Sequence, residues 1–280
     1  MNKVKPILFL VISFLSYCDI VIAQQIPALE WVAHIGGDSV ETVYDMSVDR
    51  SGNVIICGSF EGTVDFDPGG GMFNLTSKGN KDIFIQKTDP YGNFMWAKNI
   101  GGTYDDEAYS LATDSSGNVY VTGYFKEVVL FDSSSNTILT SVNTSPDIFI
   151  LKLDSFGNFK WAHQIGNYDF DEGYAITADD SAYVYITGKF SGPVDFDPGI
   201  QDTFNLIAPS SYDIFVLKLD SSGDFIWAKQ MGGDGYDIGK DIAVDTLGNV
   251  HITGYFDDTA DFDPGIDTFN LISHGTYDSY

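Results

Sequence analysis

Cysteine is almost absent from the 280-residue sequence, which contains only Cys18 and Cys57. Cys18 lies in an N-terminal apolar segment that we predict to be removed, so the mature chain has no second cysteine with which to form an internal disulfide. Cys57 ends the apolar run that begins at Val54, a poor setting for a thiol nucleophile. We therefore predict that Cys57 is a small buried side chain and that packing stabilises the fold.

Positive charge is also scarce, because 14 Lys and Arg residues stand against 40 Asp and Glu residues and the formal net charge is -26. A strongly negative surface repels the phosphates of nucleic acids and of anionic lipids. The composition therefore argues against nucleic acid as a partner. Two interpretations of the acidity stay open, a solubilising surface and a role in cation binding.

A long uninterrupted apolar run is missing too. Residues 6–23 are mostly apolar, but Tyr17, Cys18 and Asp19 interrupt them, and the remaining stretch is shorter than the roughly 20 residues of a membrane span. Two lysines precede the run and a small residue, Ala23, ends it. This pattern predicts a signal peptide at residues 1–23. We expect a secreted or cell-surface protein with no membrane span in the mature chain.

Helical periodicity is not found in any part of the chain. Aromatic residues make up 15% of the sequence and there are 29 glycines, a composition that favours short strands and tight turns. The sequence therefore predicts an all-β protein.

The four tryptophans reveal an internal repeat. Trp31, Trp96, Trp161 and Trp227 are separated by 65, 65 and 66 residues, and each begins a similar run such as Trp-Ala-Lys-Asn-Ile-Gly-Gly at 96–102. A fixed period of this kind is the signature of a repeat architecture. It predicts copies at residues 31–95, 96–160, 161–226 and 227–280, of which the last is truncated.

Each copy contains four segments with strand character, which in the first copy are residues 43–49, 53–60, 82–89 and 93–100. The second and third segments are apolar without alternation, which indicates strands buried on both faces. Hairpins of the form Asp-x-x-Gly-Asn/Asp join the segments, as at residues 114–118. In these turns Asp accepts backbone hydrogen bonds and Gly takes the positive φ. At residues 179–183 Ala182 replaces the glycine, which predicts left-handed strain or a different turn.

A four-stranded antiparallel unit with this long period favours a β-propeller, in which radial stacking protects the sheet edges. A solenoid, whose period is usually shorter, is the alternative. The fourth copy ends at Tyr280 within its third predicted strand. Residues 30–35 form a predicted outer strand that has no three strands before it. We expect a fragment of a longer propeller with about four repeats.

The segment Gly-Asn-Val-Tyr-Val-Thr-Gly at 117–123, together with its repeats over residues 31–280, resembles the SBBP β-propeller repeats of secreted bacterial proteins. The resemblance implies an extracellular module without an assigned reaction. The run from Asp220 to Trp227 is also similar to the tryptophan-docking turn of quinoprotein propellers, but it is one residue shorter and implies no quinone site.

Three copies carry the sequence Asp-Phe-Asp-Pro-Gly, and the second copy has Leu-Phe-Asp-Ser-Ser instead. In an extended segment the two carboxylates lie on one side, which makes them candidate Ca²⁺ ligands. The candidates are Asp65, Asp67, Asp195, Asp197, Asp261 and Asp263. Two carboxylates supply too few oxygens alone, and the alternative is a turn in which Phe anchors the connection. An acidic residue ten positions after each tryptophan, such as Asp106, is expected to place more carboxylates on the same face.

No catalytic motif is recognisable, and the four histidines do not recur with the period. We predict a binding or scaffold module that contacts a protein or a glycan at the cell surface, with Ca²⁺ as the one cofactor that the sequence indicates. The alternative is a propeller-type polysaccharide hydrolase with paired carboxylates. Because the acidic clusters recur whereas catalytic residues are unique, a role without catalysis is favoured.

Overall fold

Four antiparallel sheets follow one another along the chain in the computed structural model, which describes residues 29–199 and 202–280. The predicted signal peptide lies outside the described residues. Within them, the strands are accompanied by one short 3₁₀ helix, Val142–Thr144. The all-β prediction is confirmed. No helix in this part of the chain is long and apolar enough to cross a membrane.

The strands are numbered in chain order. They are β1 (Gly36–Gly37), β2 (Glu41–Val48), β3 (Val54–Phe60), β4 (Thr63–Asp65), β5 (Asn74–Thr76), β6 (Asp82–Thr88), β7 (Phe94–Ile100), β8 (Glu107–Thr113), β9 (Val119–Phe125), β10 (Val128–Asp132), β11 (Thr137–Thr140), β12 (Asp147–Leu153), β13 (Phe159–Ile165), β14 (Glu172–Ala178), β15 (Val184–Asp195), β16 (Asn205–Leu219), β17 (Phe225–Gly233), β18 (Ile238–Val244), β19 (Val250–Phe256), β20 (Thr259–Asp261), β21 (Asn270–Ile272) and β22 (Asp278–Ser279).

Each sheet is a meander of neighbouring strands, as expected for propeller blades. The strand orders are β2-β3-β6-β7, β8-β9-β12-β13, β14-β15-β16-β17 and, within the described residues, β18-β19-β22. The four strands expected in the first copy are found with bounds within two residues of the prediction. The four-stranded antiparallel blade is therefore confirmed, while the copy boundaries stay a prediction.

Small hairpins inserted between the second and third strands link one blade to the next. The last strand of the third blade continues as Gly232 and Gly233, which pair with Asp261 and Ala260 of the following hairpin β20-β21. In the same way β1 pairs with β4. Each of these inserts thus extends the outer strand that precedes its blade, so the blades are joined by backbone hydrogen bonds as well as by side chains.

The core lies between the faces of successive sheets. Every position of β6, β9 and β12 is buried, which agrees with their continuous apolar sequences. One cluster joins Ile55 and Cys57 of the first blade to Val121 and Phe149 of the second. Cys57 is fully buried and burial raises its thiol pKa well above the usual value, so the prediction that it is a packed small residue is confirmed.

The predicted outer strand at residues 30–35 is wrong, because strand pairing in this part of the chain begins only at Gly36. A strand needs a neighbour to satisfy its backbone groups. The neighbour that the described residues provide is β4, and its pairing reaches no further than Gly36 and Gly37.

The Asp-x-x-Gly hairpins have one geometry in all blades. In the hairpin at 114–118, Asp114 accepts backbone hydrogen bonds from Ser116 and Asn118 through Oδ1, and Gly117 has φ of 76°. The hairpin with Ala182 keeps the same bonds, since Ser181 and Tyr183 donate to Asp179. Ala182 has φ of 62°. Of the two predicted outcomes, the strained alanine is the correct one.

Three of the tryptophans, Trp31, Trp96 and Trp161, reach the outer hairpin of the sheet that follows them in the chain. The indole N–H of Trp96 donates to the carbonyl of Ser155 at 3.4 Å, and that of Trp31 to Pro90 at 3.0 Å. A Cβ on Gly157 would lie 2.9 Å from the Trp96 ring. Glycine is thus required there by the ring as well as by its φ of 79°.

A lysine in the strand next to that of the tryptophan reinforces this contact. Lys87 donates to the same Ser155 carbonyl at 3.2 Å and forms a buried ion pair with Asp49 at 2.8 Å. Lys152 repeats the contact on Ser221 at 2.6 Å. Tryptophan and lysine together thus fix the first blade to the second and the second to the third.

Replacing Ala182 by glycine is expected to stabilise the protein. Glycine removes left-handed strain of about 1–2 kcal/mol but adds unfolded-state entropy of about 0.5–1 kcal/mol, so the free energy of unfolding in urea should rise by about 0.5–1 kcal/mol. The matched control is Gly248→Ala in an equivalent turn with φ of 83° and no atom within 4 Å of the new Cβ. It should destabilise by about 1 kcal/mol, and equal effects of the two variants would contradict the strain.

Replacing Trp96 by alanine is expected to lower the free energy of unfolding by about 2–4 kcal/mol, because a large half-buried ring and its hydrogen bond are lost. Trp96→Phe is the matched control, because phenylalanine keeps a large apolar ring but has no N–H donor. Its loss should be smaller, about 1 kcal/mol for the hydrogen bond. Chemical denaturation of both variants measures the difference, and unchanged stability in Trp96→Phe would refute the proposed role of the indole–carbonyl bond.

Candidate functional site

The first strand of every blade contains a β-bulge at one fixed position. Pairing of the first strand with the second shifts register there in all four blades. A bulge adds one residue and redirects its side chain. The bulged residues are Tyr44, Tyr109, Tyr174 and Lys240, which we call the tyrosine row.

The tyrosine row is continuous across the four blades. Tyr44 and Tyr109 meet edge to face at 5.3 Å between ring centroids, and Tyr109 stacks on Tyr174 at 5.5 Å with 16° between the planes. The ammonium of Lys240 lies 3.4 Å from the centroid of Tyr174. First strands of successive blades are also in contact, so the row follows the inner edge of the stacked sheets.

Glu107 supports the row between the first and second blades. Its carboxylate accepts a hydrogen bond from the Tyr44 hydroxyl, one from the Tyr124 hydroxyl at 3.2 Å and one from Lys81 at 2.9 Å. The hydrogen bond to Glu107 raises the pKa of Lys81. The carboxylate is buried and fully engaged, so it positions the phenols and is not a free acid or base.

Glu172 has the same role one blade further on. The hydroxyl of Tyr174 donates to it, and Lys189 lies 3.5 Å from it. Burial, followed by the charge of Glu172, raises the pKa of Tyr174 far above its usual value. The phenols therefore stay neutral, and they can stack and donate hydrogen bonds.

The tyrosine row was not predicted from the sequence, although the signal was present. Each of its residues lies thirteen positions after a tryptophan. The missing information was the bulge, because a regular strand would have placed these side chains on the blade face.

The six predicted calcium ligands all lie in turns of one geometry. Asp65 accepts backbone hydrogen bonds from Asp67 at 3.0 Å and Phe73 at 2.8 Å, and Asp67 accepts one from Gly69 at 2.8 Å. The other two copies repeat this pattern through Asp195, Asp197, Asp261 and Asp263.

Phe66 of this turn is fully buried against Phe60 and Phe84, so the turn anchors the insert as the alternative interpretation expected. Within the described ranges no three His, Cys, Asp or Glu side chains gather in a way that could hold a metal ion. Binding of Ca²⁺ by these six aspartates stays a prediction.

The acidic residues ten positions after the tryptophans lie at the start of the blades, Glu41 as the first residue of β2 and Asp106, Asp171 and Asp237 in the loops that precede the blades. Asp106, Asp171 and Asp237 are fully buried, and each accepts the backbone N–H four residues before it at 2.7–2.8 Å. Burial raises their carboxyl pKa to about 7, 8 and 7. These three carboxylates hold the loops between blades.

A second set of buried carboxylates was not predicted from the sequence. Asp82, Asp147 and Asp213 begin the third strands or lie in them and are at most 2% exposed. In each, Oδ1 has no hydrogen-bond partner among the described residues. The negative charge of each raises the pKa of the neighbouring loop aspartate. Burying a carboxylate oxygen without a hydrogen-bond partner costs free energy, so these three positions are energetically unusual in this fold.

Comparison with known proteins agrees with this architecture. The SBBP β-propeller repeat model matches residues 96–124 and 226–255. Over 265 residues the chain is 28% identical to an uncharacterized WD repeat-containing protein of Acanthamoeba polyphaga mimivirus, which covers 82% of this chain and 19% of that protein. It is also 26% identical over 125 residues to the regulatory protein FlaEY of Caulobacter vibrioides, covering 43% of this chain and 13% of that protein.

The chain thus spans less than a fifth of the length of either relative. Each matched segment joins the tryptophan strand of one blade to the first two strands of the next. The chain therefore contains β-propeller repeats, two of which match the SBBP model.

Proposed function

We propose that the protein is a secreted or cell-surface β-propeller scaffold that contacts a protein or glycan through its blades. The observation that carries this proposal is the tyrosine row, in which equivalent residues of four successive blades form one aromatic and hydrogen-bonding strip. Aromatic side chains contribute much of the energy at binding surfaces. A strip assembled from repeats fits an extended partner better than a small substrate.

The accessible end of the row supports this role. Tyr44 is 40% exposed, and its hydroxyl is already oriented by Glu107. A rigid, oriented aromatic side chain loses little conformational entropy on binding. Export of the protein is part of the proposal and is supported by the sequence of residues 1–23.

Stabilisation by Ca²⁺ is the second part of the proposal. Its support is the recurrence of paired aspartates in three inserts, at the points where one blade joins the next. Cation binding there would stabilise the folded chain by mass action.

No specific contact supports the alternative function of a polysaccharide hydrolase. Such enzymes need two carboxyl groups free to act on the substrate. Glu107 and Glu172 are the acids of the tyrosine row, and both are engaged by lysine and tyrosine. The aspartates of the Asp-x-x-Gly hairpins and of the loops between blades accept backbone hydrogen bonds from their own turns and loops.

Tyr44→Ala is expected to weaken partner binding by at least tenfold, because the exposed aromatic face and its oriented hydroxyl are lost. The measurement is binding of the full chain to a glycan array and to proteins of an extracellular extract. Tyr91→Ala is the matched control, since Tyr91 is 80% exposed in a hairpin outside the row and its loss should leave binding unchanged. Absence of any glycan or protein ligand, or equal losses for both variants, would refute the proposal.

A further inference from the structure

Two buried aspartates lie side by side at the junction between the second and third blades. Asp147 begins the third strand of its blade, and Asp171 lies in the loop that leads to the next blade. The backbone N–H of Asp171 donates to the carbonyl of Pro146 at 3.0 Å, which fixes the loop beside Asp147. Both side chains are fully buried, so two acidic groups are neighbours without access to solvent.

The same arrangement recurs at all three junctions between the four blades. In each, the backbone N–H of the loop aspartate donates to the carbonyl of the residue before the third-strand aspartate, at 2.8–3.0 Å. The pairs formed in this way are Asp82 with Asp106, Asp147 with Asp171 and Asp213 with Asp237. All six side chains are at most 2% exposed, so each junction buries a pair of carboxyl groups.

The third junction shows how closely the carboxyl groups of a pair approach. Oδ1 of Asp213 and Oδ2 of Asp237 lie 2.7 and 2.9 Å from one point, which is the position that a Cβ on Gly232 would occupy. Gly232 belongs to the next strand, β17. Its lack of a side chain leaves the space in which the two groups meet.

The hydrogen bonds around the second pair leave one oxygen unsatisfied. Each oxygen of Asp171 accepts a backbone N–H, at 3.0 and 2.8 Å. Oδ2 of Asp147 accepts bonds from the backbone of Val142 and the side chain of Gln164. Oδ1 of Asp147 has no partner among the described residues. Backbone donors to both oxygens favour the charged form of Asp171, whereas a proton on the free oxygen of Asp147 would satisfy it.

No ion pair neutralises the second pair. Within the described residues neither Asp147 nor Asp171 has a salt-bridge partner, and Lys189 is paired with Glu172 at 3.5 Å instead. Burial raises the pKa of Asp147 to about 7 and that of Asp171 to about 8, and the charges of Asp147 and Asp169 contribute to the second shift. Two carboxyl groups this close and this buried do not both ionise.

The other charged and titratable groups beside the pairs come from the loops and the neighbouring strands. They are Lys78 and Asp105 at the first pair, Asp169 and Tyr212 at the second, and Asp234, Asp257 and Tyr280 at the third. Lys78 lowers the pKa of Asp82 and so acts against the effect of burial. The first pair therefore holds a proton least firmly, and the second pair is the clearest case.

We propose that the two aspartates of each junction share one proton, which lies between the unpartnered Oδ1 of the third-strand aspartate and the carboxylate of the loop aspartate. This proton bridge ties the loop to the third strand and closes the seam between the blades. Its loss at alkaline pH leaves two adjacent negative charges in a buried place, which loosens the seam. The bridge lies inside the junctions and involves neither a partner nor Ca²⁺.

The proton bridge makes folding depend on pH. The folded-state pKa values of about 7 and 8 at the second pair lie above the unfolded value near 4, so the folded pair keeps a proton that the unfolded chain releases. Its contribution to stability is full below about pH 4 and is lost as the pH rises to about 8. In this range each such proton raises the equilibrium constant of unfolding by up to about tenfold per pH unit.

Asp147→Asn tests the bridge, because an amide N–H can take the place of the shared proton. Urea unfolding of the full chain is measured in chelator from about pH 5 to about pH 9. The logarithm of the unfolding constant should rise with pH less steeply in Asp147→Asn than in the unmodified protein, by about one proton. At about pH 5 the unfolding constant of this variant should stay within about threefold of the unmodified value.

Asp171→Asn is the matched control. Both oxygens of Asp171 accept backbone N–H groups, so an amide nitrogen in this position must face a donor. The unfolding constant of this variant should rise by at least about tenfold already at about pH 5. Equal losses of stability in Asp147→Asn and Asp171→Asn at this pH would contradict the assigned position of the proton.

Infrared spectroscopy of the unmodified protein gives a measurement that needs no variant. The absorption of buried protonated carboxyl groups should be present at about pH 6 and disappear by about pH 10. Its absence at about pH 6, or an unchanged pH slope in Asp147→Asn, would overturn the shared proton. Partner binding is measured separately with Tyr44→Ala, and its outcome does not affect these results.

Discussion

The fold depends on the contact in which a tryptophan of one blade donates its indole N–H to the outer hairpin of the next. Within the described residues the blades have no covalent link across their faces, and Cys57 is a free thiol. Packing between faces is non-directional and would tolerate sliding. The bonds from Trp96 and Lys87 to the single Ser155 carbonyl remove that freedom, because both donors need one acceptor at a fixed place.

That contact explains why the period is so regular. The hairpin must present a carbonyl to the indole and also leave room for its ring, which Gly157 does by having no Cβ. A change of loop length on either side would move the ring off the glycine. The tyrosine row follows from the same alignment, since Tyr109 and Tyr174 can stack at 5.5 Å only if the blades keep one register.

The sequence predicted those features whose cause is local. The hairpin of Asp114 is determined by five consecutive residues, and its turn chemistry could be derived without any tertiary contact. The fold class followed from the spacing of the tryptophans. The bulge at Tyr109 and the unpartnered oxygen of Asp213 could not be derived in this way, because one depends on cross-strand register and the other on Gly232, a residue of the next strand. The burial of Asp106, Asp171 and Asp237 could not be derived for a related reason, since the loops between stacked blades are covered by both blades.

The acidity of the chain therefore has a cause beyond solubility or cation binding, because hairpins and loops need carboxylates as hydrogen-bond acceptors. These carboxylates differ in how their contribution to folding stability changes with pH. At Asp154, the effect of burial is outweighed by hydrogen bonds from Lys160 and Asn158, which lower the carboxyl pKa to about 2. Its contribution to stability is therefore present above the unfolded value near 4 and is lost as pH falls toward about 2.

At Asp171, burial outweighs two backbone hydrogen bonds and raises the pKa to about 8, so the folded state favours the protonated acid and loses stability as pH rises from about 4 to 8. Asp154 thus favours pH values above about 4, whereas Asp171 favours pH values below about 4. For these two carboxyl groups together, stability is greatest near about pH 4, where the two ranges meet.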